Sequence, residues 1–414
     1  MEGLIALSSK LRSDSHTPES AESCFLLNCV RRFLRPKVSA PIPLNLDWDK
    51  LLSLAKKHSV VSLVYLALQN SGVDSVPTAV LGSLREDLRQ TARFNLMLSA
   101  ELAKILTLLE NLGIDTRALK GPVLAETLYG NIAMRSFSDL DLLISPHDLL
   151  RTKNVLEASG YSLTSTLHWP CDSACFRARG CQLSFERSGV SIDLHWRLMP
   201  GRLPEPFDEN QAWPGRLGVP VGGGRAWTLS REHMLLFLCV HGAQHLWMRL
   251  GWICDVARMI QIETEMDWTY LFAQASQTRS KRMLSLGLSL AADLLDGDIP
   301  PPALKWLASE DRTKKLAVTV QRRFLVCAPI PVPPLDAFRL GARMFDCAKD
   351  ALRYMFEMLF GPSEVEFRIL NLHPNLFMFY YALRPLRLPI KYLARMLGLS
   401  QELRVGRPSA EGGR

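Results

Sequence analysis

Apolar residues recur every three to four positions from Ala21 to about Gly113, as in "WDKLLSLAKKHSVVSLVYLALQNSG", which halts at a glycine. That spacing predicts helices. One long helix is expected over roughly 83–112, where Leu98, Leu102, Ile105 and Leu109 fall on a single face. The pattern then shortens. "IDTRALK" (114–120) reads as a strand ended by Gly121, and "PVLAETLYG" (122–130) as a helix with proline in its first turn and glycine after its last. "SDLDLLIS" (138–145) is a second strand, "PHDLLRTKNVLEASG" (146–160) an amphipathic helix, and "YSLTSTLH" a third strand. "CQLSFER" and "VSIDLHWRL" flank "SG", a hairpin signal. The order strand, helix, strand, helix, hairpin predicts an α+β unit: a small mixed sheet with helices on one face.

Residues 201–229 read as a loop rich in proline, glycine and tryptophan that ends in "VGGGRAW". The triple glycine lacks the Lys-Ser/Thr and following helix of a phosphate loop, so it is read as a plain turn. Residues 230–300 are helical again, and 301–400 are punctuated by prolines and then helical and basic. The division expected is a disordered tail (1–20), an N-terminal helical region (21–112), a mixed core (113–200), the loop, a helical domain (230–300), a C-terminal helical region (301–400) and a second disordered tail (401–414).

With 414 residues, 48% of them apolar, the chain can bury a large core. The net charge of +8 suits an anionic partner, or serves solubility alone. Nine cysteines, an odd number at irregular spacing, point to a reducing compartment instead of a disulfide scaffold. No secretory signal is visible, and no apolar run reaches the ~18 residues of a membrane span. A soluble cytoplasmic protein is expected.

Two aspartates interrupt the apolar run "RSFSDLDLLI" (135–144). Side chains alternate across a strand, so Asp139, Asp141 and Leu143 share one face and Leu140, Leu142 and Ile144 the other. In the hairpin strand Asp193, His195 and Arg197 share a face opposite Ile192, Leu194 and Trp196. If the two strands are neighbours, three carboxylates meet on the open face of the sheet. Such a cluster repels itself unless a cation sits within it. Magnesium, a hard ion that binds a few carboxylates together with substrate phosphates, is the natural occupant. The alternative is a turn cap at Asp139 and a surface ion pair at Asp141.

These segments resemble the nucleotidyltransferase superfamily of the DNA polymerase β type and, more narrowly, a bacterial family of large, helix-flanked nucleotidyltransferase-like proteins. The resemblance rests on "LKGPVLAETLYGNIAMRSFSDLDLLI" (119–144), "SIDLHWRL" (191–198) and "HGAQHLWMRLGWICDVARMI" (241–260), with "LDWDKLLSLAKKHSVVSLVYLAL" near the start. It covers most of residues 24–400 and implies a nucleotidyltransferase core between two helical regions. It further implies that Asp139, Asp141 and Asp193 are catalytic and hold two magnesium ions, with Asp193 orienting the acceptor hydroxyl. Gly121 matches the glycine of a Gly-Ser turn, but Pro122 stands where the serine belongs. Lys120 is expected to replace that hydroxyl as a phosphate contact, with Arg135, Ser138 and the helix after Gly121 as further contacts.

His195, Arg197, His241, His245 and Asp255 are candidate cleft-lining residues. His241 and His245 share a helix face and with Asp255 offer a zinc set, against a default of hydrogen-bonded core histidines. His168, Cys171, Cys175 and Cys181 cluster in sequence at a spacing that is not a standard zinc pattern. The reading is a metal-dependent nucleotidyltransferase that moves a nucleoside monophosphate from a nucleoside triphosphate such as ATP to a hydroxyl of a small molecule, peptide or protein. Its rival is an inactive nucleotide-binding or regulatory protein of the same fold. Nucleic acid is disfavoured, because no continuous array of basic and aromatic residues is present. The basic stretch near 376–400 offers peripheral membrane contact, with prolines that limit its helices.

Overall fold

The computed structural model describes residues 20–35, 41–69, 76–164, 180–207, 213, 215–327, 332–362, 364–370, 372 and 376–396. Most of both expected disordered tails, and His168, Cys171 and Cys175, lie outside the described residues.

Among the described residues the first elements are the helices α1 (Ala21–Leu34), α2 (Trp48–Lys57), α3 (Val61–Gln69) and α4 (Thr78–Asn111). The Asp47 carboxylate caps α2 by accepting the Lys50 N–H at 3.0 Å. Strand β1 (Thr116–Ala118), helix α5 (Pro122–Tyr129), strand β2 (Asp139–Ile144) and helix α6 (Leu149–Ala158) follow. As the sequence indicates, proline starts α5 and Gly130 ends it in the left-handed region. The short strand β3 (Ser162–Leu163) precedes the hairpin β4 (Gln182–Arg187) and β5 (Val190–His195). Ser188 and Gly189 turn that hairpin with φ of 48° and 79°, the pattern of a two-residue primed turn.

The sheet order is β1-β2-β5-β4-β3. β1 runs antiparallel to β2, whereas β2 and β5 are parallel and central. One face of the sheet presents Leu140, Leu142, Ile144, Ile192 and Leu194 to Leu98, Leu102, Ile105 and Leu109 of α4 and to Leu149 and Leu156 of α6, all buried. The helical period of about 3.6 and the strand period of about 2 thus meet in one core.

The carboxylate face is not open, which corrects the expectation of helices on one side. Leu143 joins a second core with Leu124 and Leu128 of α5 and with α7 (Arg231–Gln244), α8 (Leu250–Ile262) and α10 (Lys281–Leu295). Between α8 and α10 lies α9 (Trp268–Gln277). The fold is α+β, with helices around a mixed sheet.

Within the stretch expected as a loop, β6 (Leu217–Val221) and β7 (Gly224–Thr228) form a separate hairpin. The triple glycine is its turn, with Gly222 and Gly223 at φ of 60° and 84°. A Cβ on Gly222 would lie 2.2 Å from the Ser99 carbonyl oxygen, so the hairpin tip needs glycine to rest on α4. Thr228 Oγ1 donates to the Ala118 carbonyl at 2.6 Å and ties β7 to β1.

Helices α11 (Pro301–Ala308), α12 (Asp311–Leu325), α13 (Pro334–Ala342), α14 (Ala348–Phe360), α15 (Glu364–Ile369) and α16 (Phe379–Met396) complete the described chain. Pro385 and Pro389 lie inside α16 and do not end it. Tertiary contacts hold the helix through them: Tyr380 is buried, Tyr381 donates to Glu357 of α14 at 3.0 Å, and Arg387 pairs with Glu366 of α15. Among the described residues, no helix is long and apolar enough to cross a membrane.

Candidate active site

The parallel register of β2 and β5 sets Asp141 opposite Asp193 and Asp139 opposite Ser191. Asp139 opens β2 and is half-buried, whereas Asp141 is only 6% exposed. β1 pairing continues to Leu119, whose N–H donates to the Asp141 carbonyl at 3.0 Å. The next residue, Lys120, thereby reaches the site, and its Nζ lies 3.0 Å from Asp141 Oδ1. His195 Nε2 approaches the same oxygen at 3.2 Å. Among the described residues, Oδ2 of Asp141 and the Asp139 carboxylate have no hydrogen bond.

Gly121 redirects the chain between Lys120 and α5. Its φ of 54° and ψ of −123° define a conformation essentially confined to glycine, and an added Cβ would sit 3.4 Å from the Asp139 carbonyl oxygen. The start of α5 offers fewer free donors than the sequence suggested. Pro122 has no N–H, and the Val123 N–H is bonded to the Lys120 carbonyl at 3.2 Å. The polar groups available there are therefore chiefly side chains. Ser138 is exposed and, among the described residues, its hydroxyl makes no capping bond.

Arg135 is positioned from two sides. Its Nε donates to Asp255 of α8, at 3.1 and 3.0 Å from the two carboxylate oxygens, and Tyr129 donates to the same carboxylate at 3.0 Å. Among the described residues the two terminal nitrogens of Arg135 have no hydrogen-bond partner. The loop that carries Arg135 is pinned from the N-terminal helices. Asn95 of α4 donates to the Ile132 and Arg135 carbonyls at 2.6 and 2.8 Å, and Ser62 of α3 donates to Ala133 at 2.7 Å.

Asp193 is held by two neighbours on β4. Gln182 Nε2 donates to Oδ2 at 2.7 Å and Ser184 Oγ to Oδ1 at 2.6 Å. Neither breaks a sequence rule, and it is the hairpin register that sets Ser184 opposite Asp193 and Gln182 opposite His195. Arg197 lies beyond the end of β5, and its NH2 is 3.5 Å from Glu205.

Electrostatics separate the carboxylates. Burial, then the charges of Asp141 and Asp193, push the Asp139 carboxyl above the ordinary aspartate range. Burial acts the same way on Asp141, but Lys120 and His195 outweigh it and hold that group ionised. Burial lowers His195 while Asp141 and Cys181 raise it, with a net shift up to about 9. His241 and His245 go the other way. Burial and the Lys120 charge hold His241 well below its ordinary value and bring His245 down to about 4.

Among the described residues, the one group of three potential metal ligands is Asp141, Asp193 and His195, whose ligand atoms lie within 4.8 Å of one another. Asp139 stands beside it, and its carboxyl feels the charges of Asp141 and Asp193. The alternative zinc set of His241, His245 and Asp255 is not assembled among the described residues, because Asp255 faces Arg135 and Tyr129 while His241 and His245 face each other and Trp252.

No curated protein matches the chain. A solved structure, an antigenic nucleotidyltransferase-like protein from Paracoccidioides brasiliensis, is 18% identical and covers 51% of this chain and 97% of its own, with a TM-score of 0.29. At that score the likeness carries no weight. A family profile described as uncharacterised nucleotidyltransferase matches residues 45–296. That span takes in α2 to α10 with every carboxylate, lysine and histidine of the site, and the chain belongs to this nucleotidyltransferase family.

Proposed function

We propose that the chain moves a nucleoside monophosphate from a nucleoside triphosphate to a hydroxyl acceptor, in a site of the DNA polymerase β type. The observation that carries this reading is the convergence of Asp141 and Asp193 from adjacent parallel strands, beside Asp139 and Lys120.

The donor set fits divalent magnesium. Asp139, Asp193 and the free oxygen of Asp141 are hard ligands on one face, and three carboxylates crowded together call for a cation. When bound, such ions neutralise phosphate charge and bring the acceptor oxygen in line with the α-phosphorus. The rest falls to the chain. Asp139 and Asp141 bear the donor side. Asp193, fixed by Gln182 and Ser184, orients the acceptor hydroxyl. The acceptor oxygen bonds to the α-phosphorus as the bond to the β-phosphate oxygen breaks, and pyrophosphate leaves. Lys120 and the free end of Arg135 stabilise the charge that develops on it. The hydroxyl proton departs on the Asp193 side. ATP is a natural donor to try first, and nothing in the site selects a base.

One observation favours a second reading, a nucleotide-binding protein without transfer. Lys120 already neutralises Asp141, and Pro122 replaces the phosphate-binding serine of the superfamily. Incubation with magnesium, four triphosphates and a metabolite pool separates the two. Transfer predicts pyrophosphate release that Asp139→Asn abolishes, with a mass gain on an acceptor. Tight nucleotide binding with no pyrophosphate release would establish the second reading instead.

A further inference from the structure

Phe237, His241 and His245 recur at four-residue spacing along α7 and its C-cap, so they share one face of the helix. Lys120 stands at one end of that row, with Nζ 5.8 Å from the Phe237 ring centroid and 3.0 Å from Asp141 Oδ1. The Phe237 and His241 rings are 5.8 Å apart, and the two histidine rings 4.6 Å apart. A continuous line of ring contacts thus starts beside the carboxylates and follows α7 for about 12 Å. That length lets one end meet the phosphates of a nucleotide and the other its base.

The row is backed from α8. Leu246 and Trp247 both take left-handed backbone conformations, with φ of 54° and 51°, and reverse the chain after α7. The Trp247 ring folds back over Gly242, where a Cβ would lie 2.5 Å from it. Trp252 then returns against both imidazoles, edge to face at 5.6 Å from His241 and tilted at 5.1 Å from His245. The rings are therefore held in place, yet they are not hydrogen-bonded core histidines. Among the described residues neither ring makes a hydrogen bond, and His241, His245 and Trp252 are each only half-buried. His58, His195 and His233 each seal an unpartnered ring nitrogen away from solvent, whereas His241 and His245 do not, so the nitrogens of this pair open to solvent. Burial and the Lys120 charge keep both imidazoles neutral near pH 7. Each then offers a flat face, one N–H and one lone pair.

We propose that His241 and His245, backed by Trp252, hold the base of the donor nucleotide while Lys120 meets its phosphates. The base site rests on the nucleotidyl-transfer reading for the identity of its ligand. Stacking on an aromatic ring suits every base, in keeping with a site that selects none.

Titration calorimetry of the full chain in magnesium tests it with two probes. One is α,β-methylene ATP, which cannot give up its nucleotidyl group, and the other is inorganic tripolyphosphate, which has no base. His245→Ala is expected to weaken the nucleotide about tenfold and to leave tripolyphosphate unchanged. His241→Ala should repeat that pattern. His245→Phe keeps a ring in the same place and should recover most of the loss. Unchanged nucleotide affinity in both alanine variants, or an equal loss for both probes, overturns the base site and leaves the phosphate contacts of the transfer reading standing. No binding of either probe by the wild type overturns the base site together with that reading. Affinity is read here without turnover, so an absence of transfer activity would count against the enzyme reading and leave this result intact.

Discussion

Asp141 gives one oxygen to both Lys120 and His195 and keeps the other free, so its charge is balanced by the chain's own side chains. Breaking a buried pair strands the remaining charge. Lys120→Met is expected to cost about 3 kcal/mol of unfolding free energy in chelator. Magnesium should return part of that loss, as read by urea denaturation with and without the metal. A deficit that magnesium leaves untouched would mean that the freed carboxylate takes no cation. Ser184→Ala and Gln182→Ala each remove one donor to Asp193, and each is expected to lower kcat about tenfold with little change in the KM for the triphosphate. The three aspartates were legible because charge inside an apolar strand violates the two-residue alternation. Gln182 and Ser184 were not, since uncharged polar residues in a strand break no rule. The reversal at Leu246 and Trp247 was also hidden, because those residue types carry no turn signal.

Glycine, proline and alternation fixed the boundaries of β2, α5 and the β4–β5 hairpin closely, because each of those signals acts over a few residues. Gly121 is the sharpest case, since its backbone angles admit little else. Gly121→Ala is expected to destabilise the fold by about 1–3 kcal/mol. It should also displace Lys120, seen as a fall in pyrophosphate release larger than the stability loss explains. Signals were weaker where partners lie far away in the chain. The β6–β7 hairpin was read as a loop, because its strands are short and its glycines answer to the backbone of α4 near Ser99. The two prolines within α16 would end an isolated helix at about 3 kcal/mol each, but α14 and α15 hold this one from the side.

At the scale of the molecule, two cores clasp the sheet, and several histidines are buried between helices. Burial brings His58 and His245 down to about 4, and His241 lower still. In the unfolded chain each titrates near 6.5. Between pH 6.5 and 4 the unfolded state therefore binds the extra protons, and stability falls as pH falls through that window. Above it, these groups contribute no pH dependence. The loss reaches on the order of 3 kcal/mol per histidine at pH 4. Thermal unfolding across this range should show the slope, and His58→Gln should flatten it by about one proton. The carboxylate face would have been misjudged from sequence alone, since only the assembled chain shows that α7 and α8 roof it.

The bonds from Asn95 and Ser62 to the loop that bears Arg135 have a consequence for modularity. The strands with their carboxylates do not make a transplantable cassette, because the guanidinium beside them is hung from a scaffold laid down earlier in the polypeptide. A fragment begun at residue 113 would lose that suspension and uncover the leucines that α4 shelters. Fusions and truncations that respect the assembly must keep α3 and α4 attached to the sheet they steady.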